Sequence, residues 1–172
     1  MKYIFYTFFC LIILASCKTN KDYLSRSDND NTLFDAIKTL KKHNTDTTAL
    51  QALPVLYNLA QQRNLRKINS YSSSRELSRW DKMINAYSTL QEMYNAIVEN
   101  EAASRVVTPV NYQQTLYDLK HEAAADYYTA ATVFLNKPGR ADAKQAYNYF
   151  KKADKLVPGY EDAKLKMDEA YA

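Results

Sequence analysis

Two glycines in 172 residues, Gly139 and Gly159, constrain this chain more than any other feature of it. Glycine supplies the positive-φ positions that tight hairpin turns require, so a turn-dense β-sandwich has too few places to turn. The same poverty removes Gly-rich phosphate loops, dinucleotide fingerprints and the G-x-S-x-G nucleophile elbow. The length fits one domain, at about 100–200 residues per domain, which is enough for one core or a short stack of repeats.

The N-terminus is of a different kind. After Lys2, residues 3–14 form an apolar run interrupted only by Thr7 and Cys10. A bilayer span needs about 20 apolar residues, so this run fits the h-region of a signal peptide better than a transmembrane helix. Leu14-Ala15-Ser16-Cys17 follows directly. An aliphatic residue, two small residues and then Cys resembles the lipobox of bacterial lipoproteins; an ordinary signal peptide or the start of a core helix is the plainer alternative. The resemblance implies cleavage between Ser16 and Cys17 and diacylglycerol on the Cys17 sulfur. It implies a signal peptide over 1–16, a lipidated flexible tether over 17–30, rich in polar residues, and a folded domain over 31–172. Lys2 and Cys10 leave with the signal, so net charge falls from +4 to +3 and no free thiol remains. Cysteine nucleophiles and Cys-based metal sites are thereby excluded, and the charge is too small to argue for nucleic acid. In lipoproteins that resemble this one, an Asp after the Cys marks inner-membrane retention and a compact acidic run marks surface export. Lys18-Thr19-Asn20 has neither, with Asp28 and Asp30 a diluted acidic run, so the resemblance implies the outer membrane, facing the periplasm.

From residue 31 onward the apolar spacing is helical. Residues 32–42 place Leu33, Phe34, Ile37 and Leu40 on one face, and residues 49–67 do the same with Leu50, Leu53, Leu56, Tyr57 and Ala60. Pro54 falls in the first turns or marks a kink. The Ser-rich stretch 69–74 reads as a connection, with Ser73 and Glu76 as a capping box for a helix over 76–100. That helix carries Leu77, Trp80, Ile84, Tyr87, Leu90, Tyr94, Ile97 and Val98. Residues 103–107 are ambiguous, and Arg105-Val106-Val107-Thr108 reads as an extended, exposed loop before Pro109. Thr108-Pro109 then predicts the start of a helix over 110–135, with Thr108 as its cap.

Pro138-Gly139 and Pro158-Gly159 bracket a helix over 140–156, and a last helix is expected over 160–171. Ala146, Phe150, Ala153 and Pro158, with Tyr160-Glu161-Asp162-Ala163 after them, resemble the second helix of a tetratricopeptide repeat and the opening of the next. Small residues let two helices approach, Phe150 fills the gap and Pro158 stops the helix. The fold expected is all-α: antiparallel helical hairpins stacked as a short tetratricopeptide-like solenoid. A lipobox followed by such a domain is similar to small helical lipoproteins of Bacteroidetes-type bacteria, a likeness that implies architecture more than activity.

Catalytic constellations are hard to find. His43 and His121 lie far apart in sequence, the adjacent His121 and Glu122 beside Asp118 point in different directions from a helix, and neither His belongs to HExxH, so no metal is expected. Carboxylate pairs such as Glu99/Glu101 and Asp118/Glu122, and Lys41-Lys42, read as solvated helix surface. Trp80, the single Trp, is either a helix–helix contact or a binding hot spot. Tyr112, Tyr117, Tyr127, Tyr128, Tyr147 and Tyr149 crowd the C-terminal half, as packing between repeats or as groove walls. The expected function is a non-enzymatic, lipid-anchored envelope scaffold for a protein or peptide, without cofactor or nucleic acid. Trp80, Arg105, Tyr112, Tyr127 and Tyr128 are the partner-binding candidates; glycan or small-ligand binding on the Tyr-rich face is the alternative.

Overall fold

The computed structural model describes residues 22–171. Its regular elements are seven helices: α1 Asn29–Lys42, α2 Thr47–Ser72, α3 Ser78–Val98, the single turn α4 Glu101–Ser104, α5 Gln113–Leu135, α6 Arg140–Leu156 and α7 Ala163–Tyr171. No strand occurs among the described residues. Short connections turn the chain back on itself, so α1 packs on α2, α2 on α3, α3 on α5, α5 on α6 and α6 on α7. The molecule is an all-α, helical-repeat-like stack. One core runs from Tyr23 through α1–α5, and a second, smaller cluster of Ala131, Ala146, Phe150 and Ala163 closes the C-terminal end.

The first helix begins earlier than its apolar stripe indicates. The Asp28 carboxylate accepts from the Asn31 N–H, satisfying one of the orphan donors of the first turn. Leu33, Ala36, Ile37 and Leu40 face inward, and Lys41 and Lys42 sit at the negative end of the helix dipole. Of the stretch read as tether, Asn29 and Asp30 belong to this helix, and Tyr23 and Arg26 lie against it. Tyr23 is 2% exposed, its hydroxyl donates to Thr39 Oγ1 at 2.9 Å, and Arg26 pairs with Asp35 at 2.7 Å.

The Ser-rich segment 69–72 belongs to α2 and is not a connection. Ser70 and Ser72 turn their hydroxyls back onto the carbonyls of Lys67 and Asn69, supplying donors where the helix runs out of N–H groups, and Ile68 anchors the last turns in the core. Pro54 lies inside α2, well past its first turn, where it removes the donor for the Leu50 carbonyl. The capping box expected at Ser73 and Glu76 does not form. Ser73 donates back to the Ser70 carbonyl and the Glu76 N–H goes to Ser74 Oγ, so α3 opens at Ser78 with no side-chain cap. Its inward line is Trp80, Met83, Ala86, Leu90, Met93 and Ile97, rotated from the expected stripe, so that Val98 is exposed.

Asn100 joins the two halves of the core. Its Oδ1 accepts from the Ala103 N–H at 3.0 Å and caps α4, while its Nδ2 donates to the Ile37 carbonyl on α1 at 3.2 Å. Ala102, Ala103 and Val107 are buried as a result, so the segment expected as an extended exposed loop is half tucked in. Thr108 and Pro109 do not start α5. The Val110 N–H donates to the Tyr57 hydroxyl at 2.9 Å and the Tyr112 N–H to Gln91 Oε1 at 2.7 Å. Side chains of α2 and α3 thus take the N–H groups that an earlier helix start would have used, and α5 begins at Gln113. The last helix also starts late, at Ala163, because 157–162 forms a turn in which Gly159 takes φ 78° and donates its N–H to Asp154 Oδ1. Within α6 the expected line is in place: Ala146, Phe150 and Ala153 are fully buried.

Candidate functional site

Four of the five candidate partner-binding residues sit in polar networks between helices. Trp80, on α3, is 7% exposed, and its Nε1–H donates to Asp126 Oδ2 on α5 at 2.9 Å. Arg79 donates to the same oxygen at 2.8 Å while its guanidinium stacks over the Trp80 ring, 4.5 Å from the centroid. One turn along the same interface, the buried Tyr127 hydroxyl donates to the Leu77 carbonyl at 3.1 Å and to Asp81 Oδ2 at 3.2 Å. Lys152 of α6 reaches Asp81 as well and lies over the Tyr127 ring. Burial first, and then the Asp81 charge, push the Tyr127 phenol well above its ordinary range. Two cations, two carboxylates, an indole and a phenol are thus mutually satisfied across α3, α5 and α6. Such a set fixes helix register; it presents no free base or nucleophile.

Tyr112 is held in a second network. Its hydroxyl accepts from Gln61 Nε2 at 2.9 Å, and its ring lies 5.7 Å from that of Tyr87. Gln61 also donates to Tyr57, whose phenol is raised by burial. Tyr128 is half-buried at the C-terminal end, edge-on to Phe150 at 5.3 Å and to Tyr160 at 5.8 Å, and its hydroxyl donates to Asp162. That bond, followed by burial and the nearby acidic charges, pushes the Tyr128 phenol up to about 12. A phenol raised above its unfolded value stabilises the fold fully below about pH 10 and loses that contribution as pH rises through about 12. The phenolate absorbance of Asp162→Ala should therefore rise at lower pH than that of the parent, by one tyrosine. Superimposable titrations of the two would show that the bond is absent in solution.

Arg105 is different. Its side chain is 71% exposed and its only charged partner among the described residues is Glu101, one turn away. Around it the connection from α4 to α5 exposes apolar side chains: Val106, Val110 at 48% and, on the first turns of α5, Tyr117 at 58%. The Tyr117 ring leans on His121 with centroids 4.4 Å apart. Beside it lies a shallow cavity of about 340 Å³ lined by Asn111, Gln113, Gln114 and Tyr117. Sequence reasoning placed Tyr117 only in the tyrosine crowd, named Val106 only as part of an exposed loop, and did not mark Val110. The readable signal was two valines lying outside any helical stripe, next to a residue already marked as exposed.

Ser16 and Cys17 lie outside the described residues. Among the described residues no three His, Cys, Asp or Glu side chains gather as a metal set, and no helix is long and apolar enough to cross a membrane. The chain matches no protein-family model, no curated protein and no solved structure.

Proposed function

We propose that this chain is a lipid-anchored lipoprotein of a bacterial envelope, acting as a non-enzymatic scaffold that docks a protein or peptide segment. The anchor is Cys17, acylated after cleavage of the Leu14-Ala15-Ser16 signal, and the site is the outer membrane facing the periplasm. The docking face is formed by Arg105, Val106, Val110 and Tyr117. One observation carries this choice: Trp80, Tyr112, Tyr127 and Tyr128 have their polar atoms engaged inside the molecule, while the chain from Arg105 to Tyr117 exposes apolar side chains and a lightly paired Arg. Arg and Tyr are among the residue types that anchor protein interfaces.

Glycan binding is favoured by a separate detail. Three amide side chains, Asn111, Gln113 and Gln114, line the same cavity as the exposed Tyr117 ring. An aromatic face with convergent amides suits a sugar ring, and Tyr117→Ala would abolish glycan capture on that reading.

The anchor is tested by intact mass and fractionation. The mature protein is expected to begin at Cys17 with acyl mass on it, and Cys17→Ala is expected to leave the signal uncleaved and unacylated. A mature N-terminus at any other residue would contradict the anchor.

A further inference from the structure

We infer that the C-terminal end of α1 is a membrane-facing surface that rests on anionic phospholipid headgroups; the inference builds on the Cys17 anchor. Two observations carry it. The first is reach. Tyr23 is buried against α1 and bonded to Thr39, so the folded body takes hold of the chain six residues after Cys17. Extended chain spans at most about 3.3–3.6 Å per residue, so Tyr23 cannot stand more than about 20 Å from an acylated Cys17. Whatever borders Tyr23 is therefore held at the bilayer surface.

The second is charge. Bordering Tyr23 is a cavity of about 350 Å³ lined by Arg26, Asp35, Lys38, Thr39, Lys42 and His43. Arg26 and Asp35 neutralise one another across 2.7 Å. Lys38 and Lys42, one helical turn apart and both exposed, make no ion pair among the described residues, and neither does the adjacent Lys41. Asp22 and Asp46, on the flanking segments, accept from the backbone N–H groups of Leu24 and Ala49 and form no ion pair with these lysines. Three ammonium groups without ion pairs at the edge of a docked, acylated segment complement phosphate headgroups. Each such group near an anionic surface strengthens association by roughly fivefold at physiological salt. The pull falls off within a Debye length of about 8–10 Å, so a short connection that keeps this end close strengthens it. The outcome is an orientation: α1 toward the lipid, with α6 and α7, at the other end of the packed series, away from it.

The test uses the mature protein mixed with vesicles of neutral phosphatidylcholine alone or with phosphatidylglycerol added, and reads labelling of each lysine by a water-soluble amine reagent. Intact mass of the same sample reports acylation of Cys17, so failure of the anchor is seen separately from failure of the surface. The expected result is several-fold protection of Lys38, Lys41 and Lys42 in the anionic vesicles only, none at Lys144, Lys151 and Lys155, and loss of protection at high salt. With an unacylated sample the same pattern is expected, weaker and still reversed by salt. Inorganic phosphate at matched ionic strength should not protect these lysines. Equal labelling in both vesicles, equal protection of all six lysines, or protection by phosphate alone would overturn the inference. So would protection that appears only when a protein partner is added.

Discussion

Phe150→Ala is expected to lower stability by about 3–5 kcal/mol, the range for deleting a buried aromatic side chain. Phe150 is fully buried, and the buried residues around it are Ala131, Ala146 and Ala163. The buried alanines have no side-chain freedom with which to collapse into the space, and only the partly buried Tyr128, Phe134, Leu135, Tyr149 and Met167 at its rim can shift into it. The loss also removes the edge of the Tyr128 ring contact and loosens the seat of α7 on α6. Hydrogen exchange should accordingly rise first in α7 and the C-terminal half of α5, before α1–α3 are affected. A loss below about 1 kcal/mol in a denaturant titration would mean that the C-terminal repeat does not rest on this residue.

Trp80→Ala separates packing from binding. The indole is almost fully buried, donates to Asp126 and carries the Arg79 guanidinium on its face. Removing it opens a cavity and takes one donor from Asp126, so a destabilisation of about 3–5 kcal/mol is expected. Arg105→Ala should change stability by less than about 0.5 kcal/mol, since its one ion pair is exposed and local. Denaturant midpoints of the two variants measured side by side check both numbers. Near-equal midpoints would mean that Trp80 is not part of the framework and would return it to the surface as a binding residue.

The helices that were legible in the sequence are those whose limits are set by local chemistry. Arg140–Leu156 is bracketed by two Pro-Gly pairs, and the second glycine does adopt a positive φ. Helix starts that depend on distant side chains were not legible. Thr108-Pro109 has the local form of a helix start, but Tyr57 and Gln91 take the N–H groups of Val110 and Tyr112. Serines carry a similar ambiguity: Ser73 caps nothing ahead of it and instead closes the helix behind it. Tyr23 sits in a polar run with nothing local to mark it as core; its burial depends on a hydroxyl sixteen residues away. The engagement of the aromatic candidates between helices was likewise not legible in the sequence. A Trp or Tyr with a carboxylate one helix away has the same sequence appearance whether it faces a partner or a neighbouring helix, and Asp81, Asp126 and Asp162 supply those carboxylates here.

We propose that one exposed connection, and not the aromatic networks, meets a partner. Photo-crosslinking in intact cells tests it most directly, with a crosslinker placed singly at Val106, Val110 and Tyr117 and, for comparison, at the exposed Val55, Val133 and Leu165. The account predicts the same protein adduct from the first three positions, lost or reduced with Cys17→Ala, and no such adduct from the other three. An adduct spread evenly over all six positions, or none at Val106, Val110 and Tyr117, would contradict it.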